Sequence, residues 1–176
     1  MIQLIVLLSF ILAVSLSARE AKPNILFIMA DDLGWMDLAC QGNKLVETPN
    51  LDRLASQGMR FTDAYAAAPV CSPTRCAVLT GQAPARIGLT THLPGMYFPK
   101  DNRPQPAVLT KQLNTEYVTI AERMREAGYK SAFLGKWHIA SSVGKGGKVA
   151  PELSPLGQGF DINIGGTSYG GAPSFF

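Results

Sequence analysis

Two predicted strands, each followed by charged residues, set the predicted organisation of the chain. The first runs from Pro23 to Ala30 and ends in Asp31-Asp32, and the second runs from Tyr129 to Leu134 and ends in Gly135-Lys136-Trp137-His138. The first segment is an apolar run without alternation, which is typical of a strand buried on both faces of a parallel sheet. Because ligands gather at the carboxyl ends of such strands, we expect both charged groups at one edge of the sheet.

Helix signals separate these segments and indicate an α/β fold. Thr48-Pro49-Asn50 predicts a helix with Thr48 as N-cap and Gly58 as its end. Thr119-Ile120-Ala121-Glu122 is a capping box, which predicts a second helix running to Gly128. Between them, Met59 to Ala68 is predicted to be a strand or an extended segment. We therefore expect a mostly parallel central sheet flanked by helices.

Residues 71–81 predict a loop that runs into a short helix. Ser72 is a good N-cap, Pro73 suits the first helical position and Gly81 suits the end. Cys71 would then lie at the mouth of the helix, where free N–H groups favour an anion. Arg75 follows one turn later and can reach the same place. The combination indicates a site for a tetrahedral oxyanion.

Two stretches are predicted to be connections. Residues 82–112 are rich in Pro, Gly and Thr and predict a long surface loop. Its His92, Tyr97 and Lys100 are candidates for substrate selection, although the composition favours an ordinary solvated loop over that role. Residues 141–148 predict a flexible linker, because no strand leads into them and the Gly-Lys-Ser/Thr ending of a P-loop is missing.

The amino-terminal segment predicts export. Residues 2–18 are almost wholly apolar and uncharged and end in small residues, as in a secretory signal peptide cut near residue 18. The run has no preceding Lys or Arg, so an uncleaved anchor stays an alternative. We expect no stable membrane insertion after signal cleavage, and a location in the periplasm or outside the cell. The chain has no Asn-x-Ser/Thr sequon, which favours a bacterial origin.

Composition and cysteine count exclude several classes. The chain has 176 residues, 47% hydrophobic and 16% charged, which is enough apolar material for a core. A net charge of +3 without a basic, aromatic-rich run argues against nucleic acid. Three cysteines are too few for a disulfide framework, and the pairing of Cys40 with Cys76 stays open.

Three motifs in order resemble those of the sulfatase family. They are Asp31-Asp32-Leu33-Gly34-Trp35, Cys71-x-Pro73-x-Arg75 with Leu79-Thr80-Gly81, and Gly135-Lys136-Trp137-His138. Met36 and Ala39 stand where the family commonly has glycine, a departure that leaves the carboxylates untouched. The resemblance implies an alkaline-phosphatase/sulfatase-like fold, with residues 19–176 forming the N-terminal part of the catalytic domain.

The resemblance also implies roles for the motif residues. Cys71, oxidised to formylglycine by a maturation enzyme, would be the nucleophile. A divalent cation, Ca²⁺ with Mg²⁺ as the alternative, would be bound by Asp31, Asp32 and Cys71. Arg75 and Lys136 would bind the sulfate and stabilise its charge. His138 would accept a proton from the nucleophile.

The implied function is hydrolysis of an aryl or carbohydrate sulfate ester. Ser168 is a candidate substrate-binding residue in the Gly-rich tail. The family's later metal ligands, leaving-group acid and second sulfate-binding lysine have no counterpart here, so we expect residues 1–176 alone to be inactive. Two alternatives stay open: a formylglycine-dependent phosphodiester or phosphonate hydrolase, and a non-catalytic exported binding protein on the same scaffold.

Overall fold

The computed structural model describes residues 22–94, 109–143 and 145–171. The predicted signal peptide, Tyr97 and Lys100 lie outside the described residues. The chain divides into two compact units, residues 1–52 and residues 53–176.

The first unit contains the apolar run, and the predicted strand there is wrong. Residues 22–30 form no strand, and their large side chains are exposed, with Leu26 at 85% and Ile28 at 76%. A strand needs a hydrogen-bonded neighbour, and an apolar sequence does not by itself supply one. Among the described residues, no ladder involves this segment.

Side chains of the first unit connect a short 3₁₀ helix, Ala39–Gln41, to the start of helix α1, Pro49–Gln57. The Thr48 hydroxyl accepts the Ala39 N–H at 2.9 Å and donates to Asp52 at 3.0 Å. The other contact is between the Cys40 N–H and Asp52 Oδ1, at 2.8 Å. The predicted bounds of α1 are confirmed, and Gly58 follows its last residue.

After the end of α1, the second unit contains an exposed segment, residues 59–68, and then two helices. Residues 59–68 carry no strand, contrary to one of the two predicted alternatives. Helix α2 spans Cys71–Thr80 and ends at Gly81, whose φ of +68° gives the left-handed cap that was predicted. Helix α3, Pro84–Ile87, follows directly.

The predicted surface loop after α2 is wrong for its described part. Ile87, Leu89 and Leu93 are 3%, 1% and 6% exposed and belong to the hydrophobic core. Their burial was not predicted from residues 82–112, because isolated apolar residues between Pro and Gly show no helical or strand periodicity. The remaining core residues are Cys76, Leu79, Leu113, Trp137, Ile139, Ala140 and Leu153.

Helix α4, Ile120–Glu126, confirms the predicted capping box. The Thr119 hydroxyl accepts the Glu122 N–H at 3.2 Å, and the Glu122 carboxylate accepts the Thr119 N–H at 2.7 Å. The Thr119 hydroxyl also donates to the Gln158 carbonyl at 2.7 Å, which ties the start of the helix to the segment that leads into the second strand. The helix start is therefore fixed both locally and by a distant contact.

Strands β1, Ala132–Leu134, and β2, Ile162–Ile164, pair in parallel, with Phe133 opposite Asn163. The parallel sheet was predicted, but β1 is shorter than expected and Leu134 is 67% exposed. A carboxylate aligns the two strand starts: Asp161 accepts the Ser131 N–H at 2.8 Å and the Lys130 ammonium at 2.9 Å. These bonds hold the pKa of Asp161 below its usual value.

The carboxyl ends of β1 and β2 meet at one edge, as parallel pairing requires. Trp137, which follows β1, is 1% exposed. Its ring packs edge-to-face on Phe133 and Phe160, with ring centroids 5.0 and 6.2 Å apart. Its indole N–H donates to the Leu153 carbonyl at 2.9 Å, in a 3₁₀ helix spanning Pro151–Leu153. This buried tryptophan anchors its neighbours Lys136 and His138.

Candidate functional site

Cys71 is the first residue of helix α2, which therefore begins two residues earlier than the sequence predicted. The N-cap position is Val70, in extended conformation, and its side chain makes no capping bond. Ser72 was predicted to be the cap, but it is fully buried and its hydroxyl accepts the Leu93 N–H at 3.0 Å. The Ser72 hydroxyl therefore makes a distant contact instead of a capping bond, and the half-buried Cys71 sits in the first turn.

His138 is placed by the backbone at the end of β1. The Gly135 N–H extends the pairing with β2 by donating to the Ile164 carbonyl at 2.8 Å, and the His138 N–H donates to the Thr167 carbonyl at 3.1 Å. His138 has a φ of +53°, a left-handed conformation that is uncommon for a residue other than glycine. Such strained positions cluster at functional sites, where the surrounding structure enforces them.

The imidazole of His138 bridges Cys71 and a backbone carbonyl. Its Nδ1 lies 3.3 Å from Cys71 Sγ, and its Nε2 lies 2.7 Å from the Leu93 carbonyl oxygen. A carbonyl can only accept, so Nε2 carries the proton in this hydrogen bond. In the neutral ring, Nδ1 is then an acceptor and its lone pair faces residue 71.

The surroundings keep His138 in the neutral form. Its pKa is lowered first by burial, and further by the positive charges of Lys136, Arg75 and His92, while the hydrogen bond to the Leu93 carbonyl opposes the shift. The side chain is 6% exposed. A neutral imidazole with a free lone pair can act as a base toward a hydroxyl on residue 71.

Arg75 and Lys136 come together through the backbone. The Arg75 guanidinium donates through Nη1 to the Lys136 carbonyl, so the second turn of α2 is held against the segment after β1. Arg75 is 8% exposed and Lys136 is partly buried. Arg75 and Lys136, whose positive charges both act on His138, thus come from different elements, an arrangement suited to an anion with several oxygens.

Ser168 lies at the same sheet edge, one residue after Thr167. Its hydroxyl donates to the Gly147 carbonyl at 3.1 Å and its N–H donates to the same oxygen at 3.0 Å. The described part of the predicted linker is therefore hydrogen-bonded to the tail, with a further bond from the Val143 N–H to the Lys148 carbonyl at 2.7 Å. The substrate-binding role of Ser168 stays a prediction.

Three contributors to the site were missed from the sequence: Ser72 as an anchor, the Leu93 carbonyl, and Gly170. A β-carbon at Gly170 would lie 2.5 Å from His138 Cε1, so the imidazole packs directly on that glycine. A backbone carbonyl carries no residue-specific signal. The apolar side chain of Leu93 does not indicate a polar role for its backbone. The glycines of the tail do indicate that another group packs closely against the backbone there.

Asp31 and Asp32 belong to the first unit, and both are exposed. Asp32 has a φ of +55°, the other left-handed residue besides His138 that is not glycine among those described. Two carboxylates in sequence are hard oxygen donors and suit Ca²⁺ or Mg²⁺. Within residues 22–94, 109–143 and 145–171, no three His, Cys, Asp or Glu side chains are grouped closely enough to hold a metal ion. The donor chemistry fits the cation, and the ligand set of Asp31, Asp32 and Cys71 stays a prediction.

A sequence model of the Sulfatase family matches residues 23–170 of the chain. The chain belongs to the sulfatase family. It is 40% identical over 160 residues to N-acetylgalactosamine-6-sulfatase of Canis lupus familiaris, which covers 88% of this chain and 28% of that protein. It is 41% identical over 160 residues to human Arylsulfatase A, and this alignment covers 89% of this chain and 28% of that protein.

Solved structures confirm the fold of this sulfatase chain. A Bacteroides thetaiotaomicron structure, reported for the metabolism of multiple glycosaminoglycans, superposes with a TM-score of 0.64 at 38% identity and covers 81% of this chain and 28% of that one. The α/β, sulfatase-like fold class predicted from the sequence is therefore correct. The chain spans about 28% of the length of these relatives. Among the residues that the structure describes, none of the helices is both long and apolar enough to span a bilayer.

Proposed function

We propose that this chain carries the nucleophile, the base and two anion-binding cations of a sulfate-ester hydrolase. The observation that carries the proposal is the 3.3 Å approach of His138 Nδ1 to Cys71 Sγ, with Arg75 bound to the Lys136 carbonyl beside it. All four residues lie within the span that matches the family. The names of the relatives, which include an arylsulfatase and a carbohydrate sulfatase, support aryl or carbohydrate sulfates as the substrate class.

The nucleophile in this proposal is formylglycine made from Cys71 by a separate maturation enzyme. As the hydrated aldehyde, residue 71 carries two hydroxyls. One attacks the sulfur while the S–O bond to the alcohol breaks, and the proton that this hydroxyl gives up ends on the departing alcohol oxygen. The other then loses a proton, which expels sulfate by C–O cleavage and restores the aldehyde. A serine in this position would be left as a stable sulfate ester, because it has no second hydroxyl.

His138 is the acceptor for that proton. Its Nε2–H is engaged by the Leu93 carbonyl, so only Nδ1 is available, and Nδ1 is the atom that faces residue 71. Burial and the neighbouring cations lower the pKa of His138, which keeps the ring unprotonated and ready to act. Arg75 and Lys136 stabilise the negative charge on the sulfate oxygens.

A hard divalent cation held by Asp31 and Asp32 would supply Lewis-acid polarisation of a sulfate oxygen. The amino-terminal apolar segment, residues 2–18, supports export through a signal peptide, in the periplasm or outside the cell.

The proposal is tested by co-expressing the full-length protein with the maturation enzyme. Mass spectrometry of the peptide that contains residue 71 should show the loss of sulfur and the gain of oxygen, and the protein should cleave an aryl sulfate faster than the matching phosphate ester. Cys71→Ser, which keeps an oxygen but forms no aldehyde, is the control and should not turn over. A native, unconverted cysteine in active protein would overturn the covalent mechanism, and faster phosphate cleavage would overturn the substrate class.

A further inference from the structure

The hydroxyl of Ser72 is buried beside Cys71 and has a partner far along the chain. Ser72 is fully buried, and its Oγ accepts the Leu93 N–H at 3.0 Å. It therefore does not cap helix α2, which begins one residue earlier at Cys71, although its residue type is suited to that role. A hydroxyl used in this way fixes the backbone of residue 93.

The same residue, Leu93, presents its carbonyl to His138. The oxygen lies 2.7 Å from Nε2, and both Leu93 and His138 are 6% exposed. Leu93 is thus held at its N–H by Ser72 while its carbonyl holds the imidazole. Because the peptide units flanking one residue are coupled through its φ and ψ alone, fixing the N–H restricts where the carbonyl can point.

We propose that Ser72 is a positioning residue for His138, acting through the backbone of Leu93. The chain of contacts runs from Ser72 Oγ to the Leu93 N–H, then from the Leu93 carbonyl to His138 Nε2–H, and ends at Nδ1 facing residue 71. Its function is to select the Nε2–H tautomer and the ring orientation that aim the Nδ1 lone pair at the nucleophile. Partners that orient a histidine in this way strongly influence what its other nitrogen does.

The packing around the ring limits the alternatives. Gly170 lies against Cε1, and the His138 N–H is fixed by the Thr167 carbonyl at 3.1 Å. These contacts place the ring but do not distinguish its two neutral tautomers, because neither engages a ring nitrogen. The Leu93 carbonyl is the contact that does, since it accepts only from a protonated nitrogen.

The catalytic consequence of this inference rests on the proposed function. The tautomer of His138 can be measured whether or not the protein hydrolyses sulfate esters. Full-length protein with unconverted Cys71 and ¹⁵N-labelled histidine gives imidazole nitrogen shifts that report which nitrogen is protonated. The His138 signals are assigned by their loss in His138→Asn. In the parent protein, Nε2 should carry the proton. In Ser72→Ala, the signals should move toward a mixture of tautomers.

Two further variants separate positioning from general stability. Ser72→Thr keeps the hydroxyl and should restore the parent signature. Thr80→Ala is the matched control, because Thr80 also lies in α2 and its hydroxyl accepts a backbone N–H, that of Gln82, at 3.2 Å. Thr80→Ala should leave the His138 signals unchanged even if it lowers the melting temperature.

Kinetics on converted protein give the second measurement, with rates expressed per aldehyde so that incomplete maturation does not enter. Ser72→Ala should lower kcat for an aryl sulfate by on the order of tenfold, less than the roughly 10²–10⁴ expected for loss of the base itself, and leave KM nearly unchanged. An unchanged Nε2–H signature in Ser72→Ala, or an equal change in Thr80→Ala, would overturn the positioning role. A protein that shows the expected signatures but no sulfatase turnover would overturn the proposed function alone.

Discussion

The Nδ1 atom of His138 lies 3.3 Å from the sulfur of Cys71, although the two residues are 67 positions apart in the chain. One is in the first turn of a helix and the other follows the end of a strand. Their approach depends on parallel pairing of β1 with β2 and on the burial of Trp137, which fixes the segment that carries His138. The contact joins two sequence motifs into one site.

Replacing His138 with Ala should impair both turnover and folding. Turnover of the converted full-length protein should fall by about 10²–10⁴, the usual contribution of a general base. His138 is buried, and its removal leaves the Leu93 carbonyl without this donor. Unfolding free energy should therefore drop by about 1–3 kcal/mol. Steady-state kinetics and urea denaturation measure the two effects, and turnover within twofold of the parent would exclude a base role.

Replacing Lys136 with Ala should impair turnover far more than stability. A lost cation at a sulfate site costs roughly 10²–10³ in kcat. The contact between Lys136 and Arg75 is made by the Lys136 backbone carbonyl, which the substitution keeps. Lys130→Ala is the matched control, because Lys130 is an exposed lysine at the opposite end of β1, paired with Asp161. Equal kinetic effects of the two substitutions would contradict the assignment.

A β-carbon at position 170 should disturb the imidazole. In Gly170→Ala, the new carbon would lie 2.5 Å from His138 Cε1, so the ring has to move away from its place beside residue 71. We expect kcat to fall, on the order of tenfold as for other losses of ligand orientation, with aldehyde content unchanged. Gly58→Ala is the control, since its β-carbon meets only the Leu54 carbonyl at 3.3 Å. Wild-type kcat in Gly170→Ala would show that the ring position is not critical.

The three thiols should differ in reactivity. Cys76 is fully buried, and burial raises its pKa to about 12, whereas Cys40 and Cys71 are partly exposed. At pH 8, iodoacetamide should modify Cys40 and Cys71 in unconverted protein well before Cys76. Peptide mass spectrometry measures the order, and in urea the three rates should become similar. Early modification of Cys76 in native protein would contradict its burial.

The same thiol makes stability depend on pH in the alkaline range. An unfolded Cys76 ionises near pH 9, and the folded one near pH 12, so between these values the unfolded state binds fewer protons. The contribution of Cys76 to the free energy of unfolding is constant below about pH 8 and falls as the pH rises through 9. Cys76→Ala should remove this part of the alkaline slope in denaturation measured from pH 8 to 10.

Calcium should bind weakly to residues 1–176 alone. Calcium takes about six to eight oxygen ligands, and complete extracellular calcium sites have dissociation constants of about 10⁻⁴–10⁻³ M. Because Asp31 and Asp32 offer only two exposed carboxylates, we expect a dissociation constant above about 1 mM. Isothermal titration calorimetry measures this, with Asp31→Asn, Asp32→Asn double substitution as the control. Tight, stoichiometric binding would show that the described residues complete a site by themselves.

The sequence predicted local features well where the determinant was local. The capping box at Thr119 and Glu122, the αL glycine at position 81 and the bounds of α1 depend on residues within one turn of each other, and all three are confirmed. It failed where a distant partner decided the outcome. Ser72 was assigned to the helix cap because its neighbours suited one, yet its hydroxyl bonds to Leu93, 21 residues away.

The sequence by itself determined the order of the three motifs, which is that of the sulfatase family, and the residue types from which a nucleophile precursor, cations, a base and hard oxygen ligands are predicted. Those properties reside in side-chain types and short spacings, which the chain order records directly. Only the tertiary structure decided that β1 pairs with β2 and leaves residues 22–30 outside any strand, because a strand needs a partner that an apolar run does not specify. It also decided which nitrogen of His138 faces residue 71, because that choice is made by the carbonyl of Leu93, a group that every residue carries and that only the fold can place.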